Sequence, residues 1–208
     1  MSTTEHKVFA RLRSEIDRCT LCHLQLPLGP RPVLQAHPNA KVLVVGQAPG
    51  TAVHNTGIPF NDPSGKRLRS WLGVSKEEFY DEQKIALIPM GFCYPGRGKG
   101  GDLPPRPECA KTWRTQLLEH LQQVQLTVAI GRYAIDWHIQ PSTSSTLKDI
   151  VADWRNYAEK IVPLPHPSPR NTLWLQRNPI VEQEIVPYLQ QRVRAALSGA
   201  AKSKNKKN

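Results

Sequence analysis

The chain has 208 residues and carries 28 Lys and Arg against 17 Asp and Glu, a formal charge of +11. That length suits one domain with a core large enough to stand without disulfide staples. No stretch approaches the roughly 18 apolar residues of a membrane span and the first residues lack a continuous apolar leader, so no membrane partner and a cytoplasmic location are expected.

Residues 6–18 set Val8, Leu12 and Ile16 at four-residue intervals, the stripe of a helix running into Cys19. A proline-rich connector over 24–39 leads to 41–46, a β-branched apolar run ending in glycine, as in a strand buried on both faces. Three more strands are predicted over 84–89, 126–131 and 160–165. Helical patterns fall between them at about 64–73, 106–123 and 131–138, with a last helix at about 178–197. The alternation predicts an α/β three-layer sandwich whose central four-stranded, mostly parallel sheet is flanked by helices, in one domain over 1–197. The tail 198–208 is read as disordered. It holds Lys202, Lys204, Lys206 and Lys207, so the body remains basic without it and suits a polyanion such as DNA.

Ligands of such sheets bind beyond the carboxyl ends of the strands, where GQAPG at 46–50 and HPSPRN at 166–171 follow strands directly. Alone, Gly46 to Gly50 is a turn whose glycines let backbone N–H groups approach a ligand. Asp62-Pro-Ser-Gly reads on its own as a helix N-cap. The loop after Cys93 carries Arg97, Lys99 and Arg106 among glycines, a solvated turn unless it faces phosphates. The five tryptophans read as packing residues. Cys19 and Cys22 form a short pair, whereas 15 residues intervene between Cys93 and Cys109. In a cytoplasmic chain this suggests a metal or redox site instead of disulfides. Structural zinc generally uses two short-spaced pairs, so the spacing leans to an iron–sulfur cluster, with zinc and unligated buried thiols left open.

Cys-x2-Cys, the GxAPG loop, the Cys-x15-Cys pair and the terminal His-Pro-Ser occur in an order that resembles the iron–sulfur uracil-DNA glycosylases of families four and five, over about residues 15–192. The resemblance implies a 4Fe-4S cluster on Cys19, Cys22, Cys93 and Cys109, structural in role, tying the N-terminal segment to a loop near DNA. It implies a first active-site loop in which Gly46, Gln47 and Ala48 meet a uracil carbonyl, with Phe60 stacked on the flipped base beside Asn61. His166 would donate a hydrogen bond to the base O2 and stabilise the leaving anion. Ser168, Pro169 and Arg170 would press into the duplex, with Arg97 and Lys99 on phosphates. Asp62 matches the Asp-x-Ser-Gly of one branch and becomes the candidate for orienting water or steadying the sugar cation.

The match also has departures. The second position of the first loop, usually Glu or Leu in the iron–sulfur families, is Gln47. The third, an aspartate that positions water in classical uracil glycosylases, is Ala48. Where the superfamily commonly has an asparagine reading the uracil edge, this chain has Ile88-Pro-Met-Gly-Phe-Cys93, and neither Pro89 nor Met90 can supply paired hydrogen bonds. Gln47, Asn55 and Asn61 are the amides available instead. The expectation is a monomeric, monofunctional DNA glycosylase acting on a deaminated base, uracil first, in single- or double-stranded DNA. Its catalytic residues are His166, Asp62 and Gln47, with Met90 on the base pocket. Three alternatives stand beside it: a preference for hypoxanthine, a non-catalytic damage-binding protein on the same fold, and a zinc-stapled DNA-binding protein without a base pocket.

Overall fold

A computed structural model describes residues 3–199, so all but the first two residues of the expected disordered tail lie outside the described residues. Helix α1 (Thr3–Asp17) buries Phe9, Leu12 and Ile16, a true 3.6-residue stripe, and leaves Val8 exposed. The proline-rich connector then runs to β1 (Val42–Val45). Helices α2 (Thr51–Thr56), α3 (Pro63–Leu72) and α4 (Lys76–Tyr80) precede β2 (Ile85–Leu87). The glycine-rich loop folds as a small antiparallel hairpin, β3 (Arg97–Gly98) with β4 (Gly101–Asp102). The next helix runs from α5 (Pro107–Cys109) through a π-helical turn at Ala110–Arg114 into α6 (Thr115–Glu119). After β5 (Leu126–Ile130) come α7 (Arg132–His138), α8 (Leu147–Ala152) and β6 (Ile161–Leu164). Helix α9 (Thr172–Arg177) follows, then a second π-helical turn at Val181–Ile185 that leads into α10 (Val186–Leu197).

The four long strands form one fully parallel sheet in the order β2-β1-β5-β6, as the strand and helix alternation predicts. Side chains alternate across a strand, so each strand feeds two cores. Val42 and Val44 face Leu68, Trp71 and Leu72 of α3 and Leu189 and Val193 of α10. Leu43 and Val45 face Phe9, Leu12 and Ile16 of α1, Leu117 of α6 and Ile135 of α7. These are the three layers. Because the chain leaves β1 toward β2 and later returns to β5 on its other side, the loop after β1 sits where strand order reverses, the usual crevice of such sheets.

Both outer strands have a reason to be outer. Pro163 in β6 has no N–H to give a further neighbour and is tolerated at an edge. Along β2, Gln35 of the connector exchanges backbone hydrogen bonds with Leu87 at 2.9 and 2.8 Å. Its side-chain amide donates to the Phe79 and Ile85 carbonyls.

Each predicted strand is one to three residues longer than the observed one, and α2, α4, α8 and α9 were not anticipated. Two of these helices did carry a signal: Ser75 with Glu78 and Thr146 with Asp149 form capping boxes at α4 and α8. The helix expected over 106–123 ends at Glu119 and contains the π-helical turn, which no periodicity announces.

Candidate active site

One cavity opens at the carboxyl ends of β1, β2 and β6. Its walls include Gly46, Gln47, Ala48, Pro49 and Gly50 from the loop after β1, Phe60, Asp62 and Ser64 at the start of α3, Pro89 after β2 and His166 after β6. Two loops 120 residues apart in sequence, at 46–50 and 166–171, thus meet where the parallel sheet focuses them.

Phe60 holds a positive φ of 53°, uncommon for a bulky residue and a cost of about 1–3 kcal/mol. Its surroundings enforce this. A Cβ on Gly65 would lie 1.8 Å from the Phe60 carbonyl oxygen, and one on Gly46 would lie 3.1 Å from the ring Cζ. The phenyl ring is half-buried against the cavity wall, edge-on to Phe79 at 6.1 Å between centroids. Asp62 then caps α3: its Oδ1 accepts from the Gly65 N–H at 2.9 Å and from the buried Ser64 hydroxyl at 2.5 Å. The cap engages that oxygen alone, and Oδ2 has no hydrogen-bond partner among the described residues.

His166 is fixed from three sides. The Ser168 N–H donates to its Nδ1 at 3.2 Å, and Asn171 donates its amide to the His166 carbonyl at 2.8 Å. Arg67 on α3 donates to the Pro167 and Ser168 carbonyls and to the Thr172 hydroxyl. Burial pulls the imidazole pKa down, against the opposing pull of Asp62 and Asp102, so the ring is neutral at physiological pH. With Nδ1 accepting, the proton sits on Nε2, which makes His166 a neutral hydrogen-bond donor at the cavity. Ser64, Arg67 and Asp102 are participants that sequence reasoning missed. Arg67 lies about 100 residues from the carbonyls it holds, and no local pattern pairs them.

Gln47 lines the cavity, but its Nε2 donates outward to the Leu103 carbonyl at 3.1 Å, tying the first loop to the hairpin. The backbone N–H groups of Gln47 and Ala48 have no partner among the described residues. Met90 is not where the sequence suggested. It is buried in the core on the far side of β2, its N–H bonded to the Gly46 carbonyl, and Pro89 takes the place on the cavity wall. Asn61 is exposed, its N–H turned back to the Ile58 carbonyl, and does not line the cavity; Asn55 is also exposed and outside it.

Arg97 and Lys99 are exposed on the hairpin, while Pro169 and Arg170 are exposed on a 3-10 turn (Pro169–Asn171) that Ser168 caps. These two loops approach each other: a Cβ on Gly101 would stand 3.5 Å from an Arg170 guanidinium nitrogen, and one on Gly50 would stand 3.4 Å from Asp102 Oδ2.

The four cysteines are free thiols that line one separate cavity together with Phe92, Arg106 and Trp113. Burial raises the Cys93 thiol to about 11 and the Cys109 thiol to about 12. Two N–H donors point at sulfur: Trp113 Nε1 donates to Cys19 Sγ at 3.3 Å and the Phe92 amide donates to Cys109 Sγ at 3.4 Å. Trp113, read from sequence as packing alone, is thus also a donor. No group of three or more His, Cys, Asp or Glu side chains among the described residues is arranged as a metal-ion site. No helix of the described residues is long and apolar enough to cross a membrane.

A family model described as the uracil DNA glycosylase superfamily matches residues 34–190. The chain is also similar to a protein named type-4 uracil-DNA glycosylase from Thermotoga maritima, 24% identical over 172 residues that cover 79% of this chain and 84% of that protein.

Proposed function

This chain belongs to the uracil DNA glycosylase superfamily, and on that premise we propose the following mechanism for hydrolysis of the uracil N-glycosidic bond in DNA. The reaction serves base repair, and the superfamily match does not favour a non-catalytic reading. The observation that carries the mechanism is His166 as a neutral Nε2 donor on the same cavity wall as Phe60 and the loop 46–50.

A nucleotide extruded from the stack enters the cavity and lies on Phe60, at the unstacking cost that such enzymes meet with pocket contacts. The free N–H groups of Gln47 and Ala48 and the Nε2–H of His166 meet its carbonyl oxygens. As the bond breaks, electron density moves onto the base, and these neutral donors stabilise the anion without losing a proton. The uncommitted Oδ2 of Asp62 orients water toward the sugar and balances its positive charge, a task for which Ala48 is unfit. Arg97 and Lys99 hold the strand by its phosphates, and the loop of Ser168, Pro169 and Arg170 presses into the duplex, Pro169 as an apolar wedge and Arg170 as a further phosphate contact. No lysine among the described residues lines the cavity, which suits a monofunctional enzyme that leaves an abasic site.

Cys19, Cys22, Cys93 and Cys109 are the residues that would hold a 4Fe-4S cluster. Four sulfurs on one cavity, those of Cys22, Cys93 and Cys109 buried and that of Cys19 half-buried, with two of the four receiving N–H donors, suit such ligation, since hydrogen bonds to the sulfurs support thiolate character. When bound, the cluster supplies a cross-link between the N-terminal segment and helix α5. A brown protein with iron and sulfide in equal amounts supports this, whereas stoichiometric zinc without iron overturns it.

The test is incubation with single- and double-stranded oligonucleotides carrying uracil or hypoxanthine, then alkali and a denaturing gel, beside His166→Ala. Alkali-dependent cleavage at uracil, lost in the variant, is expected. Cleavage only at hypoxanthine would overturn the base assignment, and no cleavage at either would overturn the enzyme reading.

A further inference from the structure

Arg114 is the largest fully buried side chain, and it has no carboxylate partner among the described residues. Its Nη1 donates to the Ile88 carbonyl at 3.1 Å and to the Pro89 carbonyl at 2.9 Å. Its Nη2 lies 2.8 Å from His138 Nε2, its Nε has no partner, and its guanidinium carbon is 5.7 Å from the centre of the Trp137 ring. Burial lowers the arginine to about 10, and burial together with Arg114 lowers His138 to about 4, so the ring is neutral and accepts at Nε2. A buried cation without a counter-ion is expensive, and an apolar side chain would fill the space at less cost. What it holds explains its presence.

Strand β2 ends at Leu87, and the next two carbonyls fall to Arg114. The two N–H groups that follow go the other way, Met90 to the Gly46 carbonyl and Gly91 to the Gln47 carbonyl, both at 2.9 Å. Segment 88–91 is therefore strapped on one side to the first cavity loop and on the other to a single guanidinium, with Pro89 on the cavity wall. Arg114 closes the π-helical turn at Ala110–Arg114, whose extra residue changes where its side chain aims. We propose that Arg114 is a positioning residue of the base cavity, fixing the Pro89 wall and, through Gly46 and Gln47, the loop that receives the base. This rests on the glycosylase reading of the cavity.

The test uses the full chain as wild type, Arg114→Lys and Arg114→Met, with amide hydrogen exchange and single-turnover uracil excision measured side by side. Lysine keeps the charge but replaces a planar fork by one nitrogen; methionine keeps apolar bulk alone. Both variants are expected to exchange the Met90 and Gly91 amides about tenfold faster or more, methionine the more so, with α10 unchanged. The excision rate constant is expected to fall by about tenfold or more while the reacting fraction stays the same. Unchanged exchange at Met90 and Gly91, or a rise spread evenly over the sheet, would overturn the positioning role even if Arg114→Lys is the only variant that folds. A silent wild type would instead overturn the glycosylase reading, and the exchange pattern would still decide for or against the clamp.

Discussion

At Asp62 one carboxylate has two tasks that chemistry can separate. Asparagine caps a helix about as well as aspartate, whereas alanine gives up about 1 kcal/mol. Asp62→Asn is therefore expected to melt close to the wild type yet to excise uracil at least ~100-fold more slowly, the scale of a lost water-orienting group. Asp62→Ala should lose rate and stability together. An Asn variant with wild-type rate would reduce Asp62 to a cap. His138 makes a second residue-scale case through pH. Its folded pKa, about 4, lies below the ordinary imidazole value of 6.5, so the unfolded chain binds the extra proton first. Stability is then full above pH 6.5 and falls as pH drops toward 4, by about 2 kcal/mol between pH 7 and 5. His54 and His166 shift in the same direction, so the share of His138 is read as the smaller acid loss of His138→Gln in thermal melts. At this scale the gathering of Gly46, Phe60, Asp62 and His166 on one cavity and of the cysteines on another was legible, because each sits in a spaced motif. Arg67 and Arg114 were not, because the backbone carbonyls they hold lie 25 to 101 residues away, and every residue has a carbonyl.

The turn into α3 shows what an element boundary can do. Phe60 turns with a positive φ, Asp62 caps, and Gly65 leaves room for the Phe60 carbonyl to pass within the first helical turn. A side chain at Gly65 cannot be absorbed by a flexible neighbour, because the obstacle is backbone. Gly65→Ala is expected to destabilise the protein by about 2–4 kcal/mol, read as a lower midpoint in urea, and to move the Phe60 ring off the cavity wall. A midpoint unchanged within error would mean that the α3 entrance is looser than described. Strand positions were readable as β-branched runs and the long helices as apolar stripes. The short helices escaped because one or two turns carry too few apolar positions to set a period, although two of them had capping boxes. The hairpin over 97–102 escaped for the opposite reason: glycine and charge at its turn look the same in a solvated loop.

For the whole molecule, the three-layer architecture followed from the order of strands and helices, while the meeting of loops 46–50 and 166–171 followed from the parallel sheet. The formal charge of +11 does not say where DNA lies; the proposed face is the one that carries the exposed Arg97, Lys99 and Arg170. If Arg97, Lys99 and Arg170 each neutralise one phosphate, replacing all three by Gln should reduce the slope of log affinity against log salt by about 0.9 per contact for duplex DNA. Lys41, at the opposite end of β1, is the control that should leave the slope unchanged. Equal effects from Lys41→Gln would move the DNA face elsewhere. The two sheet margins carry a last consequence, for the chain in a crowd of its own copies. An open strand invites another molecule to zip onto it, the first step toward aggregation. Here Gln35 already occupies the hydrogen bonds of Leu87 on one margin, and Pro163 interrupts the donor row on the other. The connector that looked like a spacer in the sequence is thus also a guard on the sheet, keeping a protein rich in buried valine and isoleucine from recruiting its neighbours.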